Sequence, residues 1–252
     1  MSRPKNQKKI KASDVLRALK ESADKTKAKI YPRFFKSGPG EYGEGDQFLG
    51  VTVPKARKVA AAFQAIALDQ LKTVLSSKWH EARLTALLIL VRKFKEGDQR
   101  EQKNLQEFYF AHLKWVNNWD LVDTSAPYIA GPFLFSKYTS SSLGKSQVLK
   151  TLVKLSDSKN LWDRRVAILA TFYFIRQNEY GPTLTLAKHL LEDEHDLIHK
   201  AVGWMLREVG NRSMLDLETF LTRHLSRVPR TTLRYAIEKF PLKLKAKYMA
   251  GS

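Results

Sequence analysis

From residue 54 onward the sequence is a succession of apolar segments, each about 10 to 17 residues long, with their apolar positions at helical spacing and short polar or Gly/Pro breaks between them. No segment alternates with period two, so strands are not expected. The clearest predicted helices are Glu81–Phe94, Leu105–Trp115, Asp163–Arg176, Leu197–Val209 and Thr232–Phe240. Helices this short and this apolar bury their faces best by stacking in pairs, which predicts an all-α chain.

A weak internal repeat supports stacking. The helix starts Glu81-Ala-Arg-Leu-Thr-Ala, Asp163-Arg-Arg-Val-Ala-Ile, Ile198-His-Lys-Ala-Val-Gly and Thr232-Leu-Arg-Tyr-Ala-Ile align on their third residue to give Arg83, Arg165, Lys200 and Arg234. Asp123 lies midway between the first two, and the steps are then 40, 42, 35 and 34 residues. Such periods are those of HEAT-like repeats, and the predicted architecture is an α-α superhelix of these repeats with a concave basic groove. Residues 12–248 form one such domain in this reading, after a basic, disordered tail at 1–11 that is also a candidate DNA-binding arm.

Ahead of the repeats, Ser13-Asp14 opens an amphipathic stretch running to about Ile30, which Pro32 interrupts. The segment Gly38-Pro-Gly-Glu-Tyr-Gly-Glu-Gly45 has loop chemistry. A phosphate-cradling role for it is disfavoured by its two glutamates and by the lack of a preceding strand or a following Lys-Ser/Thr.

Forty-four Lys and Arg against 25 Asp and Glu leave a formal charge of +19. That excess points to a polyanionic partner, with nucleic acid first. No apolar run approaches the roughly 20 residues that span a bilayer, so no membrane partner is expected. The N-terminal stretch lacks the apolar core of a secretory signal, and the chain has no cysteine, which excludes thiol catalysis and disulfides and fits the cytoplasm. His195 and His199 have the spacing of a metal face, but their acidic surroundings read as a helix start, and neither a metal nor a nucleotide cofactor is expected.

A carboxylate inside a row of cations opposes phosphate binding, so Asp123 requires either a structural partner or a function. Trp119 precedes it by one helical turn and lies on the same face. An aromatic wall beside a carboxylate suits hydrolysis of a glycosidic bond through a cationic sugar: the carboxylate supports the charge and orients water while the ring excludes solvent. Trp204 is a candidate second wall, although a single tryptophan is more often core than site.

Phe48-Leu-Gly-Val, Asn118-Trp-Asp-Leu-Val-Asp123, Leu161-Trp-Asp-Arg-Arg-Val-Ala-Ile168 and Lys200-Ala-Val-Gly-Trp-Met-Leu-Arg-Glu208 together resemble the AlkD-like family of HEAT-repeat alkylpurine DNA glycosylases, over about residues 12 to 245. The resemblance implies hydrolysis of the N-glycosyl bond of cationic N3- or N7-alkylated purines in duplex DNA, initiating base excision repair; a monomer is expected, since a groove wide enough for duplex DNA must stay open. It makes Asp123 the catalytic aspartate and Trp119 and Trp204 the tryptophans flanking the lesion. Arg165 becomes an arginine of the binding cleft, and Arg207 and Lys200 become phosphate contacts beside the column residues Arg83 and Arg234. It also implies a lesion read without a deep base pocket. Tyr31, Phe34, Phe35 and Tyr42 compete for the N-terminal lesion-side aromatic. The alternative classes are a non-catalytic HEAT-repeat protein that binds DNA structures and a protein-binding scaffold.

Overall fold

A computed structural model describes residues 9–250. Among them the chain is all-helical, with one isolated bridge between Gln47 and Trp79 in place of any strand. The described residues fall into two compact units, one up to Thr124 and one from Ser125. Of the expected disordered tail at 1–11, residues 1–8 lie outside the described residues.

The first unit holds α1 (Ala12–Glu21), α2 (Lys25–Phe34), α3 (Val53–Ala62), α4 (Leu68–Leu75), α5 (His80–Glu96), α6 (Gln99–Ala111) and most of α7 (Trp119–Ser125). Its centre is α5, which packs on α3, α4 and α6 and is covered further by α1. Every residue from His80 to Leu87 is buried. A helix buried on all sides at its start has no amphipathic stripe, which is why α5 reads as a plain apolar run.

The second unit holds α8 (Ala130–Ser140), α9 (Ser142–Ser156), α10 (Leu161–Arg176), α11 (Gly181–His189), α12 (Asp196–Gly210), α13 (Met214–His224), α14 (Arg230–Ala236) and α15 (Leu242–Ala250). Here α10 is central, against α8, α9, α11 and α12, and α12 passes the packing on to α13 and α14. Gly203 sets the α12–α14 approach: a Cβ there would come within 2.6 Å of the Thr232 carbonyl oxygen and 2.5 Å of the Tyr235 Cβ. A larger residue would force these helices apart.

Several elements differ from expectation. The helix expected from Ser13 to Ile30 breaks after Glu21, because the Asp24 carboxylate accepts the N–H groups of Thr26 and Lys27 and starts α2 afresh. Pro32 consequently sits inside α2, near its C-terminal end, rather than ending the helix. The helix expected at Leu105 begins at Gln99, because Asp98 caps a polar first turn through the Glu101 N–H.

The repeat register is kept. Arg83 is the fourth residue of its helix, and Asp123, Arg165, Lys200 and Arg234 are each the fifth of theirs. Among the described residues no helix is long and apolar enough to cross a membrane.

Candidate functional site

Within the first unit, the loop joining α2 to α3 is pinned from below by one side chain. The buried Glu81 carboxylate accepts the backbone N–H groups of Leu49, Gly50 and Val51 at 2.7 to 3.1 Å. Gly50 has φ +79°, and a Cβ there would lie 2.1 Å from the Asp24 carbonyl oxygen, so only glycine fits the turn. This accounts for the Phe48-Leu-Gly-Val string.

The glycine-rich segment before it does not present its N–H groups to a phosphate. Glu41 accepts from Gly38 N at 2.8 Å and Glu44 accepts from Gly40 N at 3.0 Å. What the segment delivers is Asp46, at its end. The Asp46 carboxylate accepts from His80 Nδ1 at 2.8 Å and from Arg83 at 2.5 Å, while Asp120 accepts from His80 Nε2 at 2.8 Å. Both imidazole nitrogens face carboxylate oxygens, and only the imidazolium donates from both.

Burial alone would lower the His80 pKa, but the charge and hydrogen bond of Asp120 and the hydrogen bond of Asp46 outweigh it and raise it to about 9. Burial likewise opposes ionisation of Asp46, and the His80 hydrogen bond and Arg83 charge overcome it, holding this carboxyl below the usual range. Because the folded pKa of His80 lies above its ordinary value of 6.5, its contribution to stability is complete below that value and is lost as pH rises through about 9. Chemical unfolding of the native protein should therefore show a loss on the order of 3 kcal/mol between pH 6 and pH 10. His80→Gln should start less stable and lose little over that window; equal losses in both proteins would remove His80 from the account.

The Asn118-Trp-Asp string builds the other wall. The Asn118 carbonyl accepts from Val122 N and its side-chain oxygen accepts from Trp119 N at 2.9 Å, so it starts α7. Its amide reaches across to the Phe35 carbonyl at 3.4 Å. Phe35 stacks on Trp119 at 5.7 Å between ring centroids and on Phe48 at 5.3 Å, with the His80 ring at 4.4 Å. Phe34 meets Trp119 edge-on at 5.7 Å.

These residues enclose a cavity of about 510 Å³ lined by Ile30, Tyr31, Phe34, Phe35, Val51, Val53, His80, Glu81, Leu84, Trp119, Asp120, Asp123 and Thr124. That size is ordinary for a small-molecule site. The expectation of no deep base pocket thus meets an aromatic recess at the predicted catalytic pair. Burial, with the Glu81 charge second, raises the Tyr31 pKa, so its phenol is neutral at the wall.

Trp119 and Asp123, predicted as a pair, line this one cavity. Of the four competing aromatics, Tyr31, Phe34 and Phe35 line it and Tyr42 does not. Arg83, predicted to contact DNA, requires a correction: its side chain is 4% exposed, ion-paired to Asp46 and hydrogen-bonded to the Ser77 carbonyl at 3.1 Å, because the first turn of α5 lies under the loop. It holds Asp46 and has no surface from which to meet a phosphate.

The other predicted residues belong to the second unit. Arg165 is buried and donates to the Leu197 carbonyl at 2.5 Å, joining α10 to α12. Trp204 is half-buried, 6.0 Å from Phe172, and its indole N–H donates to Glu208 at 3.2 Å. Arg207 pairs with Glu238, Lys200 pairs with Asp196 at 2.7 Å, and Arg234 is exposed. His195 accepts from Leu197 N as a helix cap, and His199 bonds the Asp193 carbonyl. Asp46, His80, Glu81 and Asp120 have no counterpart among the sequence-predicted site residues, since their pairings span 30 to 40 positions.

The family model for a DNA alkylation repair enzyme matches residues 15–240 of the chain. A predicted DNA alkylation repair enzyme from Enterococcus faecalis shares the fold, with TM-score 0.63 and 14% identity over 88% of this chain and 98% of that one. The protein smu.31 from Streptococcus mutans UA159 superposes with TM-score 0.50 and 16% identity, over 91% of this chain and 98% of that one. No curated protein sequence matches.

Proposed function

We propose, from the premise that this chain belongs to the family of DNA alkylation repair enzymes, that it is a DNA glycosylase removing N3- and N7-alkylated purines from duplex DNA. The observation that carries this reading is the placement of Asp123 and Trp119 on one aromatic cavity in a protein of charge +19. Positive charge draws the chain to the phosphate backbone; the carboxylate at the cavity serves a different end.

An N-alkylated purine already carries positive charge, so it leaves without an acid to protonate it. The C1′–N bond breaks with its electron pair passing to the ring nitrogen, which neutralises the base. Positive charge moves to the sugar, where the Asp123 carboxylate stabilises it and orients the attacking water. The water oxygen bonds C1′, and its proton leaves to Asp123 and then to solvent. Trp119 shields the cationic sugar from bulk water; the resemblance to the AlkD-like family assigns Trp204 a contact with the lesion nucleotide and Arg165 a contact with the bound DNA. Lys200, Arg207 and Arg234 contact phosphates of the duplex, and the enzyme acts as a cytoplasmic monomer.

The test is release of free base from duplexes carrying N7-methylguanine or N3-methyladenine, together with binding as a function of salt. The expected result is free base plus an abasic site, with affinity falling steeply as salt rises. Salt-sensitive binding without release from either lesion would replace the glycosylase with a non-catalytic reader of DNA structure. Binding indifferent to salt would instead favour the protein scaffold.

A further inference from the structure

We infer that His80 is a positioning residue for the proposed reaction: its imidazolium ties Asp120, in the first turn of α7, to Asp46, and so fixes the helix that carries Trp119 and Asp123. This rests on the glycosylase reading and adds to it a residue that acts through α7 without touching DNA.

The tie is built from parts far apart in the chain. One Asp46 oxygen accepts from His80 Nδ1 at 2.8 Å and from the Asn118 amide at 3.5 Å, while the other accepts from Arg83. On the far side of the ring, Asp120 Oδ2 accepts from His80 Nε2 at 2.8 Å, and Asp120 Oδ1 is buried with no hydrogen-bond partner among the described residues. His80 is therefore what holds the Asp120 side chain. A second route runs through the aromatic stack: the His80 ring lies 4.4 Å from Phe35, which stacks on Trp119. Both routes end in the first turn of α7, and Asp123 follows Asp120 by three residues on the same helix.

Protonation decides whether the tie is closed. The charged groups facing the ring are Asp46 from the loop, Asp120 from α7 and Arg83 from α5 itself. Glu81, Tyr31 and Asp123 line the cavity beside them, with Glu81 engaged by the loop N–H groups and Tyr31 neutral. A neutral imidazole has one N–H, so loss of the His80 proton sets a nitrogen lone pair against one of the two carboxylates. Asp46 keeps Arg83 and Asn118 as donors, whereas Asp120 has no such reserve. A buried ion pair adds little net stability, but it can select one arrangement of the chain, which is the role assigned to His80. Asp120 and Asp46 together keep the proton on His80 up to about pH 9, so α7 is held below that pH and released above it.

The experiment follows the five tryptophan indole N–H signals and the His80 ring of the intact, nitrogen-15-labelled protein by NMR, from about pH 6 to 10. The Trp119 signal, assigned by its loss in Trp119→Phe, is expected to shift with the midpoint of the His80 ring, near pH 9, while Trp162 and Trp204 in the second unit stay fixed. Asp120→Asn keeps an acceptor and removes the charge, so both midpoints should fall together by about one to two pH units, into range even where native His80 keeps its proton to the end of the titration. In single-turnover release of 7-methylguanine, the rate should fall through the same midpoint in each protein. A folded His80→Gln protein should release base roughly tenfold to a hundredfold more slowly with nearly native affinity for the duplex, and Asp120→Asn carries the test if that variant does not fold. A Trp119 signal indifferent to His80 ionisation overturns the inference, as do coincident alkaline limbs in the native and Asp120→Asn proteins or a native rate in folded His80→Gln. Coupled titration of Trp119 and His80 without base release from any protein retains the tie and removes the glycosylase; release without coupled titration does the reverse.

Discussion

Asp123→Asn is expected to slow release of 7-methylguanine from duplex DNA by about two to three orders of magnitude in single-turnover measurements, the range for removing one electrostatic group from a reacting centre. The two side chains have the same shape, so packing around α7 is preserved. What is lost is the negative charge that supports the sugar as the base departs, and charge interactions beside an aromatic, partly dehydrated wall are stronger than in water. Affinity for the duplex should be unchanged or slightly improved, because a carboxylate is removed from a surface that meets phosphates. A variant with native rate and native affinity would show that Asp123 is a structural carboxylate and that the chemistry, if present, has another source.

The largest stability effect is expected at Glu81, which contacts neither DNA nor base in this reading. Glu81→Ala leaves the N–H groups of Leu49, Gly50 and Val51 without their acceptor in a buried place. Orphaned buried donors and the loss of charge-assisted bonds together cost about 3 to 5 kcal/mol. That is a large share of the roughly 5 to 15 kcal/mol by which a protein is stable, so the midpoint of chemical unfolding should fall steeply. Glu81→Gln keeps one carbonyl acceptor and should lose about half as much. Val51, in this loop, lines the cavity. A Glu81→Ala protein as stable as native would mean that the loop finds other acceptors and that Glu81 does not position it.

The helices were legible from periodicity, and so was the register that places Arg83, Asp123, Arg165, Lys200 and Arg234 at the fourth or fifth residue of successive helices. Both are local properties, set by the 3.6-residue turn and by the spacing of repeats. Trp119 and Asp123 were legible as a pair for the same reason, being one turn apart on a short helix. The break between α1 and α2 was harder to read, because Asp24 is an ordinary polar residue until its carboxylate is seen to accept two N–H groups.

The sequence by itself determined an all-helical chain, a repeat register, an excess of positive charge and one carboxylate standing against that charge. Only the tertiary structure decided which cations remain at the surface. Arg83 and Arg234 are equivalent in the repeat, yet the first is buried against Asp46 and the second is exposed. Only the tertiary structure, too, joined Asp46, His80 and Asp120 and closed Phe34 and Phe35 onto Trp119. The physical reason is that helix formation and charge are summed along the chain. Burial and ionisation depend instead on neighbours brought from 34 and 40 residues away, which no local pattern encodes.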